Sequence, residues 1–190
     1  MTTFIEPYNP NWKIEFENIR QVIETELSDL SPLIDIQHIG STSIPGLFAK
    51  PILDIDIIIE NKDLLQSITS RLEQIGYKYK GEQGIPGRFA FRQTSGYIPL
   101  TAGNNKWQSH HLYVCYADSV ALKNHISFRD ILRNDKELLE KYSELKKSLT
   151  NNLKITREEY TAGKTDFIIS VLATSGLNET ELQDITKVNT

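Results

Sequence analysis

The amino-acid sequence predicts an α+β domain with a helical carboxy-terminal part. Three observations carry that expectation. Five apolar runs of strand length, at 34–39, 52–59, 77–80, 89–93 and 111–116, fall in the first two-thirds of the chain. Helical spacing of apolar residues opens the chain and recurs once among the strands. From Asp118 onward the spacing is helical throughout.

The elements follow in order. After the Pro/Asn-rich entry "EPYNPNW", the segment 13–30 carries Ile14, Ile19, Val22, Ile23 and Leu27 at helical spacing, and Ser31-Pro32 stops it. Ile34, Ile36 and Ile39 predict a short strand running into Gly40-Ser41, and 52–59 predicts the next. A helix over 62–75 ends at Gly76, and the Gly-rich "KGEQGIPGR" reads as a loop between two later strands. Asp118 is placed to cap the following helix. Asn134 with Glu137, and Thr156 with Glu159, have the spacing of capping pairs. The last helix carries Phe167, Ile168, Ile169, Val171 and Leu172, and beyond Gly176 a polar tail, 177–190, is expected to be frayed or weakly helical. One domain is expected over 1–176, with 117–176 mainly helical.

Composition narrows the functional classes. A formal net charge of −4 gives no basic field for nucleic acid and little attraction to an anionic membrane surface. Cys115 is the only cysteine, so no intrachain disulfide can form, which suits a reducing compartment. The amino-terminal stretch lacks a basic cluster followed by an apolar core, and no apolar run approaches the ~20 residues that span a bilayer. A cytoplasmic protein without nucleic-acid or membrane partners is expected.

The stretch "HIGSTSIPGLFAKPILDIDIII" concentrates the chemistry. Residues two apart on a strand share a face, so Asp54 and Asp56 project together, with Leu53, Ile55 and Ile57 opposite. Two close carboxylates resist joint ionisation and call for a positive partner. A divalent magnesium ion suits, since it takes oxygen ligands and leaves sites for phosphate oxygens; Lys50 or an arginine from a neighbouring strand would also serve. Gly40 lets backbone approach a ligand, and Ser41, Thr42 and Ser43 offer hydroxyl and amide donors to an anion, more so if a short helix starts near Thr42. Arg88, Ala90 and Arg92 share one face of their strand, which suits phosphate or carboxylate recognition, or pairing with Asp54 and Asp56. Lys164, one helical turn from Tyr160, could reach a ligand from the helical part or lie at the surface. Arg129, Asp130 and Arg133 read as an intramolecular ion-pair set, Trp107 as core packing or a base-stacking ring, and Cys115 as a small buried hydrophobe.

Gly40-Ser41, a spacer of twelve residues, then Asp54-Ile55-Asp56 resembles the signature of the nucleotidyltransferase (polymerase beta-like) superfamily. The fuller string, with "HHLYVC", "FRDILR", "YSELKKSL" and "YTAGKTDFI" downstream, resembles the GrpB family within it, over 6–172. The resemblance implies a nucleotidyltransferase-like mixed β-sheet flanked by helices. It implies a Gly-Ser turn gripping nucleotide phosphate, and Asp54 and Asp56 holding magnesium or manganese. In that chemistry the metal polarises the α-phosphate, an acceptor hydroxyl attacks in line and pyrophosphate leaves. Catalytic members add a third carboxylate from a later strand. Here that strand offers His111 instead, as metal ligand or general base or as a half-buried structural histidine, and Tyr113 stands where the GrpB pattern has a second histidine. Glu60 and Glu82 lie in or near loops.

The activity implied is metal-dependent transfer of a nucleotidyl group from a nucleoside triphosphate to a small molecule, or to a protein side chain. The alternatives are a non-catalytic module binding a nucleotide or phosphorylated metabolite, and a phosphoesterase using Asp54, Asp56 and His111 as ligands, a mixed set that favours manganese.

Overall fold

A computed structural model describes residues 5–151 and 155–189. Its centre is a five-stranded sheet in the order β1-β2-β5-β4-β3: β1 (Ile34–Ile39), β2 (Leu53–Ile59), β3 (Lys78–Tyr79), β4 (Arg88–Arg92) and β5 (His110–Tyr116). β2 and β5 run parallel and the other neighbours antiparallel, so the sheet is mixed and the expected α+β class holds. Strand directions, which no sequence pattern specified, follow from this pairing.

The sheet has two chemically different faces, both dictated by the period of two. Leu53, Ile55, Ile57 and Ile59 of β2 are fully buried and meet Leu112, Val114, Phe89 and Phe91 in one core. Helix α1 (Asn11–Glu26) covers that face through Trp12, Phe16, Ile19 and Ile23, and α2 (Leu64–Gln74) through Ile68 and Leu72. Each such aliphatic side chain contributes roughly 1.5–3 kcal/mol by leaving water. The opposite face carries Asp54, Asp56, His111 and Tyr113, and α3 (Val120–Asn134), α4 (Lys136–Asn151) and α5 (Arg157–Leu172) lie on that side. These helices build a second, smaller core of Ile44, Leu47, Leu132 and Tyr142, with Phe128 and Phe167 packed against it. The segment after Gly40 thereby joins the sheet to the helical layer.

Several expected details are corrected. Ser119, not Asp118, caps α3, because its hydroxyl accepts from Leu122 N–H while the Asp118 carboxylate pairs with Lys62. Asp135, not Asn134, accepts from Leu138 N–H at the start of α4; the Asn134 amide donates back to Asp130 O. Thr156 and Glu159 form the expected capping box. The polar tail forms α6 (Glu179–Asn189), entered by a reciprocal Asn178–Glu181 cap, held by the Lys123–Glu181 ion pair and burying Ile185. Trp107 packs against the main core and donates through Nε1 to Pro99 O. Among the described residues no helix is long and apolar enough to cross a membrane.

Two histidines are built into this frame as neutral groups. His38 stacks on Phe16 at 4.7 Å and meets Thr42 Oγ1 at 3.0 Å, while His110 lies 2.6 Å from Tyr77 Oη and 2.8 Å from Gln108 O. Burial lowers each to about 4 from the ordinary 6.5. The unfolded chain therefore binds more protons between those values, and stability present above about 6.5 is lost as pH falls toward 4. Urea unfolding at pH 7.5 and pH 5 should show a loss on the order of 2 kcal/mol per histidine, and Ile57→Ala, as a pH-independent control on β2, should cost about 2–5 kcal/mol at both.

Candidate functional site

Register brings the candidate residues to one patch. On the polar face Asp54 stands beside His111, which in turn stands beside Arg92. Asp56 stands between Gln37 and Tyr113, and Cys115 stands between Ile58 and Arg88. The distances follow from that order: His111 Nδ1 lies 2.9 Å from Asp54 Oδ1.

Gly40 sets the geometry of the turn. Its φ of +67° belongs to glycine, and a Cβ there would lie 2.2 Å from Asp54 Oδ2. The backbone is thus pressed directly against the carboxylate. The short helix considered near Thr42 is a single 3₁₀ turn, Ser41–Ser43. The Ser43 hydroxyl donates to Gly40 O, and Thr42 Oγ1 bonds His38 and Ile52 O, so both buried hydroxyls hold the turn together and face away from a ligand role. Ser41 alone of the three lines the cavity beside Asp54. That cavity, of about 210 Å³, is formed with Gly40, Asn124, His125, Phe128 and Tyr142.

Two residues that the sequence reading passed over complete the site. His125 of α3 places Nδ1 at 2.7 Å from Asp56 Oδ2, and the Asp56 side chain is fully buried. Its other oxygen, Oδ1, has no hydrogen-bond partner among the described residues, an arrangement that costs about 1–3 kcal/mol unless a cation or proton satisfies it. Lys146 of α4, only 2% exposed, donates to Ser41 Oγ at 2.6 Å and to Phe48 O at 2.9 Å. Burial, with help from Lys164 and Lys50 and against the pull of Asp54, holds its ammonium well below the ordinary lysine range. Lys50 and Lys164 both lie over the Tyr160 ring at 4.5 Å, so three lysines gather behind the Gly-Ser turn.

The remaining predicted residues divide. Arg92 is exposed and shares with His111 an adjoining cleft of about 580 Å³. Arg88 stacks on Tyr113 at 4.5 Å, near Cys115 rather than near Asp54. Arg129 pairs with Asp130 as expected, but also donates to Gln37 and His38 O, and Arg133 donates to Ser43 O, so both tie α3 to β1 and the turn. Glu82 accepts from Gly87 N–H and Glu60 is exposed; His111 holds the strand position beside Asp54 where a third acid was sought.

The carboxylates suit a divalent cation: Asp54 is 30% exposed at the cavity edge and Asp56 retains an unpartnered oxygen. The expected trio of Asp54, Asp56 and His111 is arranged differently, since His111 hydrogen-bonds Asp54 while His125 serves Asp56. Among the described residues, the donor atoms that gather within 4.8 Å of one another belong to Asp56, Cys115 and His125.

Comparison with known proteins identifies the family. A family model described as "GrpB protein" matches residues 2–174. The UPF0157 protein YqkA of Bacillus subtilis is 32% identical over 161 residues, which cover 85% of this chain and 43% of YqkA. The glutamate-rich protein GrpB of Alkalihalophilus pseudofirmus is 31% identical over 166 residues, covering 87% of this chain and 91% of that protein. The crystal structure of conserved protein GrpB from Enterococcus faecalis superposes with a TM-score of 0.72 at 28% identity, covering 97% of this chain and 99% of that one. The chain spans less than half of YqkA but nearly all of these two GrpB proteins, and with the family model matched over almost its whole length it belongs to the GrpB family.

Proposed function

We propose that this chain binds a nucleoside triphosphate at the Gly40-Ser41 turn and transfers its nucleotidyl group to a small-molecule hydroxyl. The observation that supports the reading is the close approach of Gly40 to Asp54, since a turn suited to an anion and a carboxylate suited to a cation line one cavity. Turn amides, the Ser41 hydroxyl and Lys146 hold the triphosphate, and the anion restores the charge that burial disfavours on Lys146. Asp54 and Asp56 would hold a magnesium or manganese ion, which when bound supplies the charge that polarises the α-phosphate. His111, hydrogen-bonded to Asp54 and lining the cleft with Arg92, takes the proton of an acceptor hydroxyl seated there. The acceptor oxygen bonds the α-phosphorus, the α–β anhydride bond breaks and pyrophosphate departs.

A second reading has its own support. Each carboxylate already has an imidazole partner, so the site is satisfied in part by the chain's own groups. That favours a regulatory module which binds a nucleotide or phosphometabolite without turnover.

Incubation with labelled nucleoside triphosphates, magnesium and a panel of hydroxyl acceptors should release pyrophosphate, and Asp54→Asn should abolish the release. Tight binding without turnover, unchanged by a chelator, would select the module, and turnover surviving in Asp54→Asn would refute the site. Lys146→Met should weaken triphosphate binding about tenfold or more in titration calorimetry, since it removes a charge-assisted hydrogen bond. Gly40→Ala should abolish binding and lower the thermal midpoint, because the new methyl meets Asp54 Oδ2.

A further inference from the structure

We propose that Asp56, Cys115 and His125 form a site for a zinc-class transition-metal ion. The three donor atoms lie within 4.8 Å of one another, and Asp56 Oδ1, on a fully buried side chain, receives no N–H or O–H donor among the described residues, with the Cys115 thiol against the same carboxylate. The set combines one carboxylate oxygen, one imidazole nitrogen and one thiol sulfur. Sulfur is a poor ligand for magnesium and a good one for zinc or cobalt. The donors come from three elements, β2, β5 and α3, so the site exists only in the folded chain.

The surroundings suit this assignment. Cys115 is fully buried, and burial together with the Asp56 charge keeps its thiol protonated, so it serves no nucleophilic role there. Arg88, opposite Cys115 on β4, opposes that trend and favours the thiolate, and a dication with one carboxylate, one thiolate and a neutral imidazole makes the loaded site neutral. His125 is the least buried of the three and lines the cavity beside Asp54, which gives an ion its way in. Bringing Asp56 Oδ2 and His125 Nδ1 from 2.7 Å to the separation of about 3.3 Å that two bonds of ~2.0 Å need around a tetrahedral centre takes a shift of a few tenths of an ångström per side. Binding balances as one thiol proton released to water for each sulfur–metal bond formed.

This site shares Asp56 with the cation of the proposed transfer reaction, so the two ions compete; it requires no nucleotide and stands whether or not transfer occurs. Metal-free protein in a non-thiol reductant would be titrated with cobalt(II), then with zinc. One cobalt per chain, a thiolate-to-cobalt charge-transfer band, release of one proton, and displacement by equimolar zinc but not by a thousandfold excess of magnesium are expected. Cys115→Ser should remove the band and weaken binding at least about tenfold; His125→Gln should weaken binding as much, and its amide can still donate to Asp56, so the buried carboxylate keeps a partner if the cysteine variant fails to fold. Cobalt binding without the band, equal affinity in His125→Gln, or equal competition by magnesium would overturn the site. Pyrophosphate release reads the transfer reaction alone, so failure of either idea leaves the other measurable.

Discussion

The structure is organised around carboxylates on a strand whose other face is pure core. β2 carries Leu53, Ile55, Ile57 and Ile59 into the interior and sends Asp54 and Asp56 to the opposite side. A buried carboxylate is costly without partners. The chain answers with an imidazole for each, His111 for Asp54 and His125 for Asp56, and with a glycine that lets backbone reach Asp54. Helices α3 and α4 then do more than shield a sheet face. They deliver His125, Arg129, Arg133 and Lys146 to β1, β2 and the Gly-Ser turn, so the acidic face and the helical layer depend on one another.

Local signals made much of this legible. The alternation along 52–59, the apolar spacing of α1 and α2, and the Thr156–Glu159 pair are properties of short windows, and each corresponds to an observed element. Asp54, Asp56 and Gly40 were readable because strand period and glycine chemistry are local as well. His125 and Lys146 were not, because they reach partners 69 and 105 residues away, and nothing within their own helices marks them. A lysine in an amphipathic helix reads as solvent-exposed; only the packing of α4 on the turn shows that Lys146 is buried. The α3 and α4 caps moved by one residue, since neighbouring side chains compete for the same amide and the winner is set by tertiary pairing, as Lys62 does for Asp118. The Asn178–Glu181 spacing that begins α6 was present in the sequence but lay in a segment whose polarity masked it.

Charge is distributed unevenly around the cavity. Behind the turn lie Lys50, Lys146 and Lys164, mutually repelling and held around Tyr160 and Tyr142. On the sheet side lie the two aspartates. A neutral ligand would gain from neither set. The metal–polyphosphate complex of the proposed reaction, anionic at one end and carrying a cation at the other, would match both sets.

β5 divides the acidic face into two ends. His111, Tyr113 and Cys115 project together, and the Tyr113 ring lies 6.3 Å from both His111 and His125, with Arg88 stacked over it. A second histidine at position 113 would have made the face continuous in imidazole; the phenol ring instead separates two Asp–His pairs of different character. The Asp54 end, beside Gly40 and Ser41, is partly open and rich in hard oxygen and amide groups. The Asp56 end is closed and contains sulfur. Under the two proposals a hard, phosphate-bearing cation would favour the Asp54 end and a sulfur-preferring ion the Asp56 end, with Asp56 itself contested between them.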